Sequence, residues 1–224
     1  MLLAKWLYAT VPVLEITELI TMQLPANIDS LKGFLHPEEG AALYNATMQC
    51  EGLGPMLEIG SYCGKSTIYI GAACKETNTT VFALDHHRGS EEHQVGEMFH
   101  DNELFDTASG YFDTFKEFRK NIQDAGLNDV VIPLVTTSEV AAKNWHTPLG
   151  MVFIDGGHSL DAALTDFRCW ASHVQAGGML AIHDVFTKST EGGQAPYAIY
   201  KLALNSGLFE HFSTTHSLRL LRRL

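Results

Sequence analysis

The sequence predicts an α/β fold: a mostly parallel seven-stranded sheet with helices on both faces. Three observations predict it. Short, continuous apolar runs at residues 56–60, 80–85, 130–135, 150–155 and 178–184 alternate with helix-length segments, the mark of parallel strands buried on both sides. The first run opens directly into a glycine turn, and three others end on a carboxylate: Asp85, Asp155 and Asp184. Two short final strands, 209–214 and 217–221, are joined at Thr215-His216, a link that permits only an antiparallel hairpin.

Each element follows in order. Residues 1–35 carry Leu14, Ile16, Leu19, Ile20 and Met22 and read as an N-terminal helical segment, set to pack on the domain or on a second copy in a homodimer. Residues 36–224 form the main domain. Its first helix spans 36–49, with Pro37, Glu38 and Glu39 in the opening turn, where the helix dipole favours them. Helices are expected near 64–74, near 112–125 with Gly126 as its stop, from Ser138 with Ser138-Glu139 as its cap, at 159–174 and at 196–206. Residues 86–110 are a long polar insert between the second strand and the next helix.

Composition narrows the function. At 224 residues with 46% hydrophobic and 18% charged side chains, the chain can bury a full core. Twenty-six acidic against 15 basic residues give −11, which disfavours nucleic acid and anionic membranes as partners. No apolar run approaches the roughly 20 residues of a membrane span. The four cysteines show no Cys-x-x-Cys spacing and read as buried thiols of a reducing, cytoplasmic compartment.

The most informative stretch is Leu57-Glu58-Ile59-Gly60-Ser61-Tyr62-Cys63-Gly64-Lys65-Ser66-Thr67. It reads as strand, glycine turn, helix start, which places free backbone N–H groups at the carboxyl edge of the sheet. It is not a phosphate-binding P-loop, because the required first glycine falls on Ile59. Nor is it the dinucleotide fingerprint, whose second and third glycines would fall on Tyr62 and Lys65. Asp85 suits a ligand with two ribose hydroxyls, or else caps the strand end.

Two further strand ends carry chemistry. Asp155-Gly156-Gly157-His158 places a carboxylate and an imidazole at a cleft mouth. An imidazole ordinarily titrates near ~6.5, suited to proton transfer, although His158 also fits as a cap for the helix at Ser159. His183-Asp184 ends the neighbouring strand. Asp155, His183 and Asp184 then converge on one divalent cation, Mg²⁺ or Ca²⁺ by their oxygens or Mn²⁺, Fe²⁺ or Zn²⁺ by the histidine, or act as polar strand ends without metal. The insert clusters His86, His87, His93 and His100 with Glu91, Glu92 and Asp101. It reads as a substrate lid, a second metal site or a solvated loop.

Taken in order, Leu57–Ser61 with Gly64 and Ser66-Thr67, Asp85, Phe153–His158 and Gly177–Asp184 resemble the class I S-adenosylmethionine-dependent methyltransferases, in particular the small-molecule O-methyltransferases of the macrocin and cephalosporin type. The resemblance covers residues 35–224. It implies a Rossmann-like fold and S-adenosylmethionine held by Glu58, Gly60, Ser61, Tyr62, Gly64, Ser66, Asp85, His86, Ser138 and Asp155. It also implies His158 and Asp155 as catalytic residues, and Mg²⁺ or another divalent cation at Asp155 and Asp184. Two other readings stand beside it: a metal-dependent hydrolase or lyase using the histidine-rich 86–100 loop, and a non-catalytic cofactor-binding module.

Overall fold

The structure, a computed structural model, describes residues 22–25, 27–90 and 101–224. Residues 1–21, most of the expected N-terminal helical segment, and His93 and His100 lie outside them. The described part of that segment is not a regular helix. It holds one 3-10 turn, Ile28–Ser30, after Pro25, which carries no N–H to donate.

The elements run α1 (Pro37–Gln49), β1 (Met56–Ile59), α2 (Lys65–Glu76), β2 (Val81–Leu84), β3 (Phe105–Asp106), β4 (Tyr111–Phe112), α3 (Phe115–Asp124), β5 (Val131–Leu134), α4 (Ser138–Ala142), β6 (Leu149–Ile154), α5 (Leu160–Trp170), β7 (Val174–Ile182), α6 (Ala195–Asn205), β8 (Phe209–Thr215) and β9 (Leu218–Arg223). Seven strands form one sheet in the order β5-β2-β1-β6-β7-β9-β8. The first five are parallel, and β9 and β8 close the sheet antiparallel. Strand β7 begins at Val174, earlier than its apolar run, and reaches it through the partly exposed Gln175–Gly177.

Both sheet faces are covered, which is why the central strands are mainly apolar. Met56, Met151, Phe153 and Ala181 pack with Leu43, Ile68, Ile70 and Phe118 of α1, α2 and α3. The alternate residues Leu57, Ile59, Val152, Ile154, Leu180 and Ile182 pack with Trp170, Ile199 and Ala203 of α5 and α6.

Chain order reverses at β1, which pairs with β2 on one side and β6 on the other. Ile59 is level with Leu84 and Ile154, and Ile154 with Ile182. Gly60, Asp85, Asp155 and His183 therefore emerge on one edge, at the switch point where open α/β sheets bind ligands.

The described part of the insert is held by its own side chains and by Lys32. Beyond its central stretch it forms the β3–β4 hairpin. Buried Leu104 and Phe112 pack on Cys63, with Tyr62 beside them. Lys32 pairs with Asp101 and Glu103 at 2.5 and 2.7 Å. Phe112 thus anchors the insert to the glycine turn, while Tyr111 is exposed.

Candidate active site

The glycine turn is shaped by a close approach of two strands. Gly60 has φ +90°, and a Cβ there would lie 2.0 Å from the Asp155 carbonyl oxygen. Only glycine lets β1 and β6 leave the sheet side by side. The chain then passes through Tyr62 at φ +45° and Gly64 at φ +89° into α2, whose N-terminus has no side-chain cap. The Ser61 hydroxyl is buried and has no hydrogen-bond partner. An orphan hydroxyl beside uncapped N–H groups and the positive end of a helix suits an anionic ligand group such as a carboxylate.

Asp85 organises the next loop. Its Oδ2 accepts from the Tyr62 N–H at 2.8 Å and its Oδ1 from the His87 N–H at 2.7 Å. Each oxygen keeps a further lone pair, so the fixed carboxylate can still accept from two hydroxyls. His86 is exposed and its Nδ1 accepts from the Arg88 N–H. His87 is buried at φ +57°, with Nδ1 on Thr114 at 2.7 Å and no partner at Nε2. Burial lowers its pKa, which favours the neutral ring.

Three residues expected to face the ligand are engaged within the fold. Glu58 is fully buried and accepts from the Ser66 hydroxyl at 2.5 Å and from Thr67. Burial pushes its carboxyl up to about 8 despite those bonds. Glu58 and Ser66 therefore lock β1 to α2 behind the turn. Ser138 donates to Asp166 at 2.5 Å and accepts from the Trp170 indole at 3.1 Å. Burial raises the Asp166 carboxyl to about 6.

The second half of the site is a cluster of acids and imidazoles. His183 is 4% exposed. Its Nδ1 lies 2.9 Å from Asp155 Oδ1, and its Nε2 lies 3.0 Å from Glu39 Oε2. Two carboxylate acceptors require both ring nitrogens to carry hydrogen, so the ring is an imidazolium. Burial opposes that charge, but Asp155 and the bonds to Asp155 and Glu39 outweigh it and push the pKa up to about 11. Glu39 is the counterpart. Its own burial is outweighed by His183, with help from Ser217, holding it near 2. Its oxygens also accept from the N–H groups of His36, Ser217 and Leu218 and from the Ser217 hydroxyl. Glu39 was not foreseen as a site residue. Its only sequence signal was a place in the first turn of α1, where it completes a capping box.

His158 completes the edge. Its Nε2 lies 3.2 Å from Asp184 Oδ2. Asp184 thereby orients the imidazole at this edge. Asp184 sits at φ +53°, so left-handed non-glycine residues follow β1, β2 and β7 alike: Tyr62, His87 and Asp184. Such strain collects where function over-determines the backbone.

The expected metal set comes together in part. Asp155, His158 and Asp184 place ligand atoms within 4.8 Å of one another. His183 is engaged beside them, its Nδ1 2.9 Å from Asp155 Oδ1 and 3.6 Å from Asp184 Oδ2 and its Nε2 on Glu39. Asp155, His158 and Asp184 are the residues that would hold a divalent cation.

Beside this cluster opens a cavity of about 390 Å³, lined among the described residues by Phe34, His36, Asp184, Phe186 and His216, with His183 and Glu39 at its wall. The histidine-rich half of the insert expected as a second metal site lies largely outside the described residues.

Comparison with known proteins agrees with this geometry. The methyltransferase domain family matches residues 57–185. Among solved structures, the chain is similar to the O-methyltransferase NovP, with 16% identity, 81% of this chain and 79% of that chain covered, and a TM-score of 0.61. It is similar to an O-methyltransferase from Bacillus cereus in complex with S-adenosylhomocysteine (18%, 90% and 84%, 0.60). It is also similar to TomG from Streptomyces achromogenes, an O-methyltransferase of tomaymycin synthesis in complex with S-adenosylmethionine (13%, 85% and 81%, 0.59). At these identities the likeness is one of fold.

Proposed function

The chain belongs to the methyltransferase domain family, and from that premise we propose that it transfers the methyl group of S-adenosylmethionine to a hydroxyl of a small molecule. The observation that carries the reading is the juxtaposition at the switch point: Gly60, Ser61 and Asp85 on one side, Asp155, His158 and Asp184 on the other, with a cavity beyond. The choice of oxygen as acceptor is supported by the names of the structural relatives, all three O-methyltransferases.

The residues divide the work. Asp85 accepts from the ribose hydroxyls, and its bonds to Tyr62 and His87 hold it in place for that. The Ser61 hydroxyl and the first N–H groups of α2 receive the amino-acid carboxylate. S-adenosylmethionine supplies a methyl group on a positive sulfonium: the C–O bond forms as the S–C bond breaks, leaving S-adenosylhomocysteine and a methyl ether. His158, oriented by Asp184, takes the acceptor's hydroxyl proton and releases it to solvent. Asp155, fixed by His183, borders the reacting groups. Positioning accounts for most of the acceleration.

No step runs through a metal. The hydrolase or lyase reading, which rests on the histidine-rich 86–100 loop, predicts activity with metal and without S-adenosylmethionine. The non-catalytic reading predicts cofactor binding without turnover. Four free cysteines, three of them buried, support a reducing compartment such as the cytoplasm. Among the described residues no helix is long and apolar enough to cross a membrane. A homodimer built on the N-terminal segment is tested by light scattering of the purified chain.

The test of function is incubation with S-adenosylmethionine and a panel of small phenols, catechols and sugar alcohols, reading S-adenosylhomocysteine by mass spectrometry. Release with at least one acceptor, abolished in His158→Ala, supports the proposal. Tight cofactor binding with no release from any acceptor favours the non-catalytic module.

A further inference from the structure

We propose that His36, Glu38 and His216 form a second metal site, separate from Asp155, His158 and Asp184, which takes one divalent transition cation of the Zn²⁺ class at the rim of the cavity. The consequence for the acceptor rests on the methyltransferase reading; the binding itself does not.

Among the described residues, two groups of metal-ligating side chains bring their donor atoms within 4.8 Å of one another. One is Asp155, His158 and Asp184. The other is His36, Glu38 and His216, two imidazoles and one carboxylate. A set with two nitrogen donors favours Zn²⁺, Cu²⁺, Ni²⁺ or Fe²⁺ over Mg²⁺ or Ca²⁺, which suit the carboxylate-rich group better. His216 Nε2 lies 2.8 Å from Glu38 Oε2, and the rings of His36 and His216 are 4.0 Å apart between centroids. His36 Nδ1 accepts from the Glu38 N–H at an exposed 3.2 Å, so a lone pair is already placed there. A cation takes that lone pair and leaves the N–H to water. It also replaces the hydrogen between His216 and Glu38, which moves to the ring's other nitrogen.

The site is built from segments 178 positions apart, and the neighbours of its ligands fix them. Glu39, next to Glu38, accepts from the N–H groups of Ser217 and Leu218, which follow His216. Arg219 donates to the His216 carbonyl at 2.7 Å. These bonds hold the first turn of α1 against the β8–β9 turn before an ion arrives, which is the preorganisation a metal site needs. Glu38 and His216 are 70% and 46% exposed, so the ion has an entry path. The positive end of α1 opposes a cation, and Glu38 and Glu39 in its first turn offset that field.

Three protein ligands leave one position of a tetrahedral ion open, the mark of a site that binds something further. His36 and His216 line the same cavity as Asp184. An ion held at that rim anchors a second oxygen group of the acceptor, a hydroxyl or a carboxylate, while the hydroxyl to be methylated lies at the strand edge.

The experiment is Zn²⁺ binding by the full chain near neutral pH in excess Mg²⁺, read by competition with a colorimetric zinc chelator. The expected result is one Zn²⁺ per chain at micromolar or tighter affinity. It is weakened at least about tenfold in each of His36→Asn, Glu38→Gln and His216→Asn and unchanged in Asp155→Asn. Asparagine keeps the helix cap at position 36 and tolerates the left-handed backbone at position 216 (φ +46°), and Glu38 is exposed, so the three variants keep the fold. Zn²⁺ is also expected to raise the melting temperature of wild type and not that of His216→Asn. Absence of Zn²⁺ binding by folded wild type overturns the proposal. So does binding that any folded one of the three variants retains in full, or binding that is lost in Asp155→Asn. Failure of S-adenosylhomocysteine to bind contradicts the methyltransferase reading instead and leaves the zinc result standing.

Discussion

The Ser66 hydroxyl donates to the Glu58 carboxylate at 2.5 Å, inside a part of the fold from which Glu58 is fully excluded from water. With Thr67 as the second donor, the strand before the glycine turn is tied to the first turn of the helix after it. The turn is held in shape from behind, before any ligand arrives.

That arrangement sets a pH dependence. The folded Glu58 carboxyl is raised from 4.5 to about 8 by burial, so the native state holds a proton that the unfolded chain releases. Its stabilising contribution is present below pH 4.5 and is lost as pH rises through 8. Glu58→Gln keeps the shape without the charge. In urea unfolding it is expected to match wild type in mild acid and to exceed it above the folded pKa by about 1–3 kcal/mol. Equal loss of stability in both proteins over that window would count against a buried, proton-holding Glu58.

The Glu39 carboxylate has the opposite sign. Its pKa is depressed from 4.5 to about 2, so its contribution is present above the first value and lost as pH falls through the second. Glu39→Gln should flatten the acid limb of the stability curve. At neutral pH it should cost about 3–5 kcal/mol, because a buried, hydrogen-bonded pair is broken. Circular dichroism melts across that range measure both effects.

Turnover should respond to His158 more than binding does. His158→Ala is expected to lower kcat about 10²–10⁴-fold while the affinity for S-adenosylhomocysteine changes little. An equal fall in both would make His158 a structural cap of α5 rather than a base.

Gly60 tests the close approach of β1 and β6. An alanine methyl would sit 2.0 Å from the Asp155 carbonyl in a backbone conformation at φ +90°. Gly60→Ala is expected to cost about 2–4 kcal/mol in denaturant unfolding and to remove cofactor binding in whatever fraction remains folded. Wild-type binding in the variant would show that the turn tolerates a side chain.

Strand ends were legible in the sequence because two-sided burial makes the central strands mainly apolar, so a polar residue at the close of an apolar run marks the edge. Gly60, Asp85, Asp155 and His183 fall together for that reason. Residue type did not reveal which lone pairs the fold consumes. Glu58 and Ser66 satisfy each other. His183 is engaged at both nitrogens, one of them by a partner 144 positions away, a contact that only the tertiary fold creates. The insert defeated periodicity for a related reason: its hairpin has strands of two residues each, held by Phe112 packing on the glycine turn rather than by pattern.

The central claim is that the turn at Gly60–Gly64 and Asp85 hold S-adenosylmethionine. Calorimetric titration of the purified chain with S-adenosylmethionine and S-adenosylhomocysteine tests it most directly, with Asp85→Ala as the control. The account predicts one site of micromolar affinity for both ligands, unchanged by added Mg²⁺ and lost in the variant. No heat of binding from either ligand with the folded wild-type protein would contradict it.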